Sequence, residues 1–244
     1  MCLPRPQDGA GGRFAFARRA RVATPTFLKG SAKRMLVTVH MQMMRLALDG
    51  LVSARALSRM IGANIRVDTV WNQLGRHELH FDDNAFDGAY AYLAEQRGRI
   101  RPALESGFPE AAWDAFGRLT HTAQDFYSHT NYVDLWTACQ PDGMVPPANQ
   151  IDPLDEMLVN SPALRSGKAY LPFGLLSFIP LVSRWLEPHM PADSHARMHL
   201  DSSARGPMFE YAFHAAVKRT RIEYDTVNSS LPADLMTRFT DLPR

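Results

Sequence analysis

One nine-residue stretch, His121-Thr122-Ala123-Gln124-Asp125-Phe126-Tyr127-Ser128-His129, sets His, Asp and His four residues apart. On an α-helix each four-residue step turns about 40° past a full circle, so the three side chains share roughly 80° of one face. The outer two Cα atoms are then about 12 Å apart along the axis, too far for one zinc with ligand bonds of about 2.0–2.2 Å. The spacing suits a row of two or more metal ions, with the middle carboxylate able to bridge. Phe126, Tyr127 and Tyr132 border this polar face with rings, as expected of a helix buried in a core. The alternative is a buried His/Asp hydrogen-bond network, since such spacings also arise by chance.

Either reading needs a core around the helix, and the chain can build one. Its 244 residues, 45% of them hydrophobic and 21% charged, are those of a soluble globular protein. Apolar residues recur at helical spacing over 36–48, where Asp49-Gly50 supplies a stop, and over 51–74 and 85–97. Beyond Pro102 and Pro109 the central helix is expected over 110–136, with weak helical character over 151–160 and a last helix over 205–226. No run of alternating strands stands out. The expected fold is all-α, a single domain of five to seven helices around a central metal-bearing helix, spanning 35–244.

Residues 1–34 differ in kind: eight Arg and Lys stand against one acid, Asp8, with no helical period. They read as a disordered or leader segment, with initiation near Met35 as one possibility. No apolar core of a secretory signal is present, so the protein is expected either in the cytoplasm or exported by a non-classical route. The formal net charge is only +2, and the remainder is mildly acidic, which excludes a general nucleic-acid-binding surface. No apolar run is long enough for a transmembrane segment. Cys2 and Cys139 form no spacing motif and do not decide the compartment.

Further donors lie outside the central helix. His40 sits among apolar residues of the first helix, and Asn64 and Asp68 are four apart on the second. The polar loop 75–84 offers His80 and Asp82. His40, Asp68, His80, His121, Asp125 and His129 thus make six N and O donors on three helices and a loop, the way bundle cores hold metals. Imidazole with carboxylate and no cysteine suits catalytic zinc. The segment 170–186 is the most apolar of the chain but is interrupted by Pro172, Gly174 and Pro180. It reads as a buried irregular segment or as a flap making peripheral lipid contact.

The run His121-Thr-Ala-Gln-Asp125-Phe-Tyr-Ser-His129-Thr-Asn131-Tyr-Val-Asp134-Leu resembles the HTxQDFYSHSNWVEL signature of the heterokaryon-incompatibility HET-C family, and His80-Phe-Asp82-Asp83 resembles its HFD element. That family is similar to the zinc-dependent phospholipases C and single-strand nucleases, all-α proteins with a trinuclear zinc site. The resemblance implies one ion on His80, His121 and Asp125, with Asp125 bridging to a second near His40. It implies a third on His129, with Asp134 beside it. Asp68 matches an aspartate thought to act as base toward water. His199 and Asp201 match a late motif of the family, and His195, four residues before His199, offers a further donor. No Trp precedes His40 to match the N-terminal Trp ligand of the phospholipases, so two zinc ions are expected and three are the upper count. The function implied is phospholipase C-like hydrolysis of a phospholipid headgroup or another phosphodiester by a metal-activated water. The alternatives are a HET-C-like, non-catalytic interaction or toxin-associated protein with structural metals, and a single-strand nuclease.

Overall fold

The computed structural model describes residues 32–69, 72, 75–141, 144–168, 170 and 187–242. The leader expected over 1–34 therefore lies almost wholly outside the described residues, as does the apolar 170–186 segment except Tyr170. Among the described residues there are nine α-helices and no strand. They are α1 (Ala32–Leu48), α2 (Ala54–Ile65), α3 (Phe86–Glu105), α4 (Pro109–His129), α5 (Tyr132–Ala138), α6 (Glu156–Val159), α7 (His195–Met198), α8 (Met208–Ser230) and α9 (Ala233–Thr240). Six of them have eight residues or more and form one compact all-α body, as expected.

α4 is the axis of the fold. It packs against α2, α3 and α8, while α1 closes the far side against α2 and α8. Every residue from Leu119 to His129 is buried, so this helix is covered all round and not along one stripe. Where α2 crosses α4, Gly117 lets the two backbones approach. A Cβ there would lie 2.3 Å from the Met60 carbonyl oxygen and 2.7 Å from Ala63 Cβ. One turn earlier, Trp113 Nε1 donates to the Phe239 carbonyl (2.7 Å) and ties α4 to α9.

Helix limits differ from expectation chiefly at α2, α3 and α4. α1 stops at Leu48 as foreseen, with Gly50 at φ +75°. The second helix does not run over 51–74: α2 begins at Ala54, capped by Ser53 Oγ, which accepts from Ala56 N, and a 3-10 turn (Arg66–Asp68) ends it. Apolar spacing continued past the helix because Val67 in that turn is still buried. α3 passes through Pro102, which sits in its last turn. The central helix ends at His129, not at 136. Thr130 is extended (φ −109°, ψ 167°) and its Oγ1 donates to the Phe126 carbonyl, before α5 restarts at Tyr132. Asn131 stabilises the break by accepting from Arg165 N (2.8 Å) and donating to the Ala163 carbonyl (3.0 Å). Side-chain bonds make this corner, with no Gly or Pro to mark it.

Candidate metal centre

Because α4 is buried all round, its polar side chains must find partners inside the protein. His121 and Asp125 project toward His40 from α1, Asp68 from the turn after α2, and His80 from the loop before α3. Asp125 is the hub. Its Oδ2 lies 2.8 Å from His80 Nδ1 and 3.0 Å from His121 Nε2, and its Oδ1 lies 3.4 Å from His40 Nε2. Asp68 repeats the pattern at longer range, with Oδ1 3.6 Å from His121 Nε2 and Oδ2 3.9 Å from His40 Nε2. Both carboxylates thus divide their oxygens between His40 on one side and the His80–His121 pair on the other.

A short strained loop delivers His80. Phe81, Asp83 and Asn84 all have φ near +55°, a conformation uncommon for Asp and Asn and an outlier for a buried Phe. Surrounding contacts hold it. The Phe81 ring packs edge-on against Phe126 (5.1 Å), Asn84 and Ser166 exchange two hydrogen bonds, and Asp83 N donates to the Gly167 carbonyl.

The same loop carries Asp82 into a second group at the end of α4. The last carbonyls of a helix have no partner within it. Here those of Ser128 and His129 accept from Leu200 N (2.8 Å) and Gly167 N (3.0 Å), which draws two distant segments together. Gly167 has no room for a side chain, since a Cβ would lie 2.6 Å from His195 Cα. His129 Nδ1 donates to the His80 carbonyl (2.9 Å) with Asp82 Oδ1 3.4 Å away, and its Nε2 faces Asp201 Oδ1 at 3.3 Å. His195 Nδ1 lies 2.8 Å from Asp82 Oδ1, and His199 Nδ1 lies 3.0 Å from Asp201 Oδ2. The His195 and His199 rings stack 5.5 Å apart.

These groups polarise one another. Burial opposes charge on Asp125, Asp82 and Asp201, but the histidines around them outweigh it and hold all three carboxyls below their ordinary range. Burial likewise opposes charge on His121 and His129, yet the neighbouring aspartates raise both above an ordinary imidazole, His129 strongly. His199 goes the other way, lowered chiefly by its burial. The aspartates thus favour protons on His121 and His129, a charge balance that a divalent ion would also supply.

The inner donors fit a metal. Tetrahedral zinc with bonds of about 2.0–2.2 Å sets its ligand atoms about 3.3–3.6 Å apart. One ligand atom from each of Asp68, His80, His121 and Asp125 lies within 4.8 Å of all the others, and His80 Nδ1 is 3.3 Å from His121 Nε2. A second trio, Asp82, His129 and His195, meets the same spacing. His80 Nε2 and His121 Nδ1, on the far edges of their rings, are buried and have no hydrogen-bond partner among the described residues. Metal-bound imidazoles ordinarily have one there; His40 does.

Of the residues singled out in the sequence, His40, Asp68, His80, His121 and Asp125 come together, and His129 joins Asp82, His199 and Asp201. Asp134 joins neither group: the corner at Thr130 leaves it exposed on α5. Gln124, inside the motif itself, is a further buried polar residue that the His/Asp spacing does not mark. One position before Asp125, it turns about 100° away toward α1, α2 and α8 and is fully buried.

A family model described as the VWA7 N-terminal domain matches residues 41–160, a little under half of the chain. The matched stretch includes Asp68, His80, Asp82, His121, Asp125 and His129; His40, His195, His199 and Asp201 fall outside it. No curated protein and no solved structure matches. This similarity corrects the resemblance to the HET-C family and the phospholipase C–nuclease group, because the matching family is a different one. What the nine-residue motif carries is a donor spacing on a buried helix, and such spacing is not the mark of one family.

Proposed function

We propose that the inner group holds a pair of zinc ions and that the protein hydrolyses a phosphodiester. The observation that supports this reading is the division of Asp68 and Asp125 between His40 and the His80–His121 pair. Two shared carboxylates flanked by imidazoles on both sides suit two adjacent divalent ions better than one. His80, His121 and Asp125 Oδ2 would hold one, and His40 with Asp125 Oδ1 the other. Zinc supplies Lewis acidity, lowering the pKa of water toward about 7 and offsetting charge on a phosphoryl group. A third ion would draw on Asp82, His129 and His195.

The chain's own residues divide the remaining work. Asp68 is the most exposed member of the inner group, its side chain 21% accessible against 10% or less for His40, His121 and Asp125. A structural metal site is closed, whereas a catalytic one keeps an open side, and Asp68 marks that side here. In this reading it would orient a water and accept its proton. The buried rings of Phe81, Phe126 and Tyr127 pack edge-on in sequence, Phe81 on Phe126 and Phe126 on Tyr127. A phospholipid headgroup is the preferred substrate, on the apolar composition of 170–186; single-stranded nucleic acid is the competing phosphodiester, and the near-balanced charge weighs against it.

Elemental analysis of the protein purified without chelator or histidine tag, beside Asp125→Asn, tests the reading. Two zinc ions per chain and turnover of bis(p-nitrophenyl) phosphate are expected, both lost in the variant, after which phosphatidylcholine vesicles and single-stranded DNA are compared. Zinc retained in Asp125→Asn would refute the bridging role. Full zinc with no turnover of any phosphodiester would leave a protein whose metals only join its helices.

A further inference from the structure

Beside the inner group lies a second layer of buried polar side chains, and its hydrogen bonds run in one direction only. Thr120 Oγ1 donates to the Phe116 and Gly117 carbonyls (both 3.0 Å), and Thr220 Oγ1 donates to the Ala216 carbonyl (2.9 Å). A hydroxyl has one proton, so each of these oxygens can only accept from its remaining neighbours. The atom 3.3 Å from Thr120 Oγ1 is therefore the amide nitrogen of Asn64, and the atom 2.9 Å from Thr220 Oγ1 is the amide nitrogen of Gln124. With its nitrogen committed to α8, Gln124 must turn its oxygen the other way. That oxygen accepts from Asn64 Nδ2 (3.1 Å) and faces His40 Nδ1 at 2.7 Å. Asn64, Thr120, Gln124 and Thr220 are fully buried and His40 nearly so.

A carbonyl oxygen brings no proton to a hydrogen bond, so the proton between Gln124 and His40 belongs to His40 Nδ1. In a neutral imidazole that leaves the lone pair on Nε2, the atom facing Asp125 and Asp68. We infer that Gln124 is a positioning residue: locked by Asn64 and Thr220, it holds His40 in the Nδ1–H tautomer and presents a bare Nε2 to the second zinc of the proposed pair. The use of that Nε2 rests on the proposed function; the tautomer does not. His40 thereby has the outer-edge partner that His80 and His121 lack among the described residues, and without it the ring could turn its N–H toward the carboxylates and close the site.

The test is a long-range ¹H–¹⁵N spectrum of the zinc-free full chain with labelled histidine, at about pH 8, where an ordinary imidazole is neutral. His40 is expected to carry its proton on Nδ1. Gln124→Met, which keeps the length and removes the acceptor, should scramble the tautomer and weaken the second zinc about 10–100-fold while the first binds as before. Gln124→Glu restores an acceptor and should restore both. A wild-type His40 protonated on Nε2, or a Gln124→Met protein with tautomer and second zinc unchanged, would overturn the inference. If Gln124→Met does not fold, the wild-type spectrum still decides. Two zinc ions bound beside an Nε2–H His40 would sink the tautomer and spare the hydrolase; an Nδ1–H His40 in a protein that binds no zinc would do the reverse.

Discussion

Asp125 faces three imidazoles within 3.4 Å, and although burial lowers the His121 pKa, the Asp125 carboxyl with that of Asp68 raises it above an ordinary imidazole. Zinc binds only the lone pair of a neutral imidazole, so metal entry must expel the proton from His121. Because the His121 pKa is raised, the proton is still bound at a pH where a free imidazole would have lost it. Zinc binding should therefore release protons near neutrality, and affinity should climb as pH rises. Calorimetry in two buffers of different ionisation enthalpy checks this: the apparent binding enthalpy should change with the buffer, in the sense of release. A buffer-independent enthalpy would mean that His121 is neutral or is not a ligand.

The α2–α4 crossing decides whether Asp68 reaches the centre at all. In an ordinary helix interior, Gly→Ala gains about 0.5–1 kcal/mol. At Gly117 the added methyl would press on a backbone carbonyl of α2, which cannot swing aside, and overpacking of that kind costs about 1–3 kcal/mol. The clash should win, so Gly117→Ala should lower the urea midpoint and, by displacing α2, weaken zinc binding as well. The existence of α2 and α4 was legible from apolar spacing, and the Asp49-Gly50 stop from local chemistry. The corner at Thr130 was not, because it depends on Arg165 and Ala163, more than thirty residues away. That corner also explains why Asp134 reads as a fourth donor on the motif's helix and yet lies on another.

At the scale of the molecule, the inner group gathers side chains from α1, the turn after α2, the loop before α3, and α4. Donor types were legible because His and Asp at four-residue spacing share a helix face. Their sorting into two groups was not, because Asp82 is turned to His195 by a loop at positive φ and by contacts with residues 166–167. The same assembly sets how stability depends on pH. Asp125 and Asp201 have lowered pKa values in the folded chain, so their contribution is present above about pH 4, the unfolded carboxylate range, and is lost as pH falls through the folded values. His121 and His129 have raised values, so theirs is complete below about pH 6.5 and is lost as pH rises through the folded values. Zinc-free protein should thus be most resistant to urea between about pH 4 and 6.5, and weaken on the alkaline side as these two protons leave. Zinc held by the assembled donors, and not by the scattered ones of the unfolded chain, would add about 2.7 kcal/mol at a free concentration one hundred times its dissociation constant. Since a bound divalent ion would take over the charge balance that a proton on His121 provides, urea midpoints measured with zinc should hold or rise where those without it fall. Parallel curves with and without zinc across this range would show that the carboxylates keep their protonated histidines as partners, and that the groups form a polar core and not a metal centre.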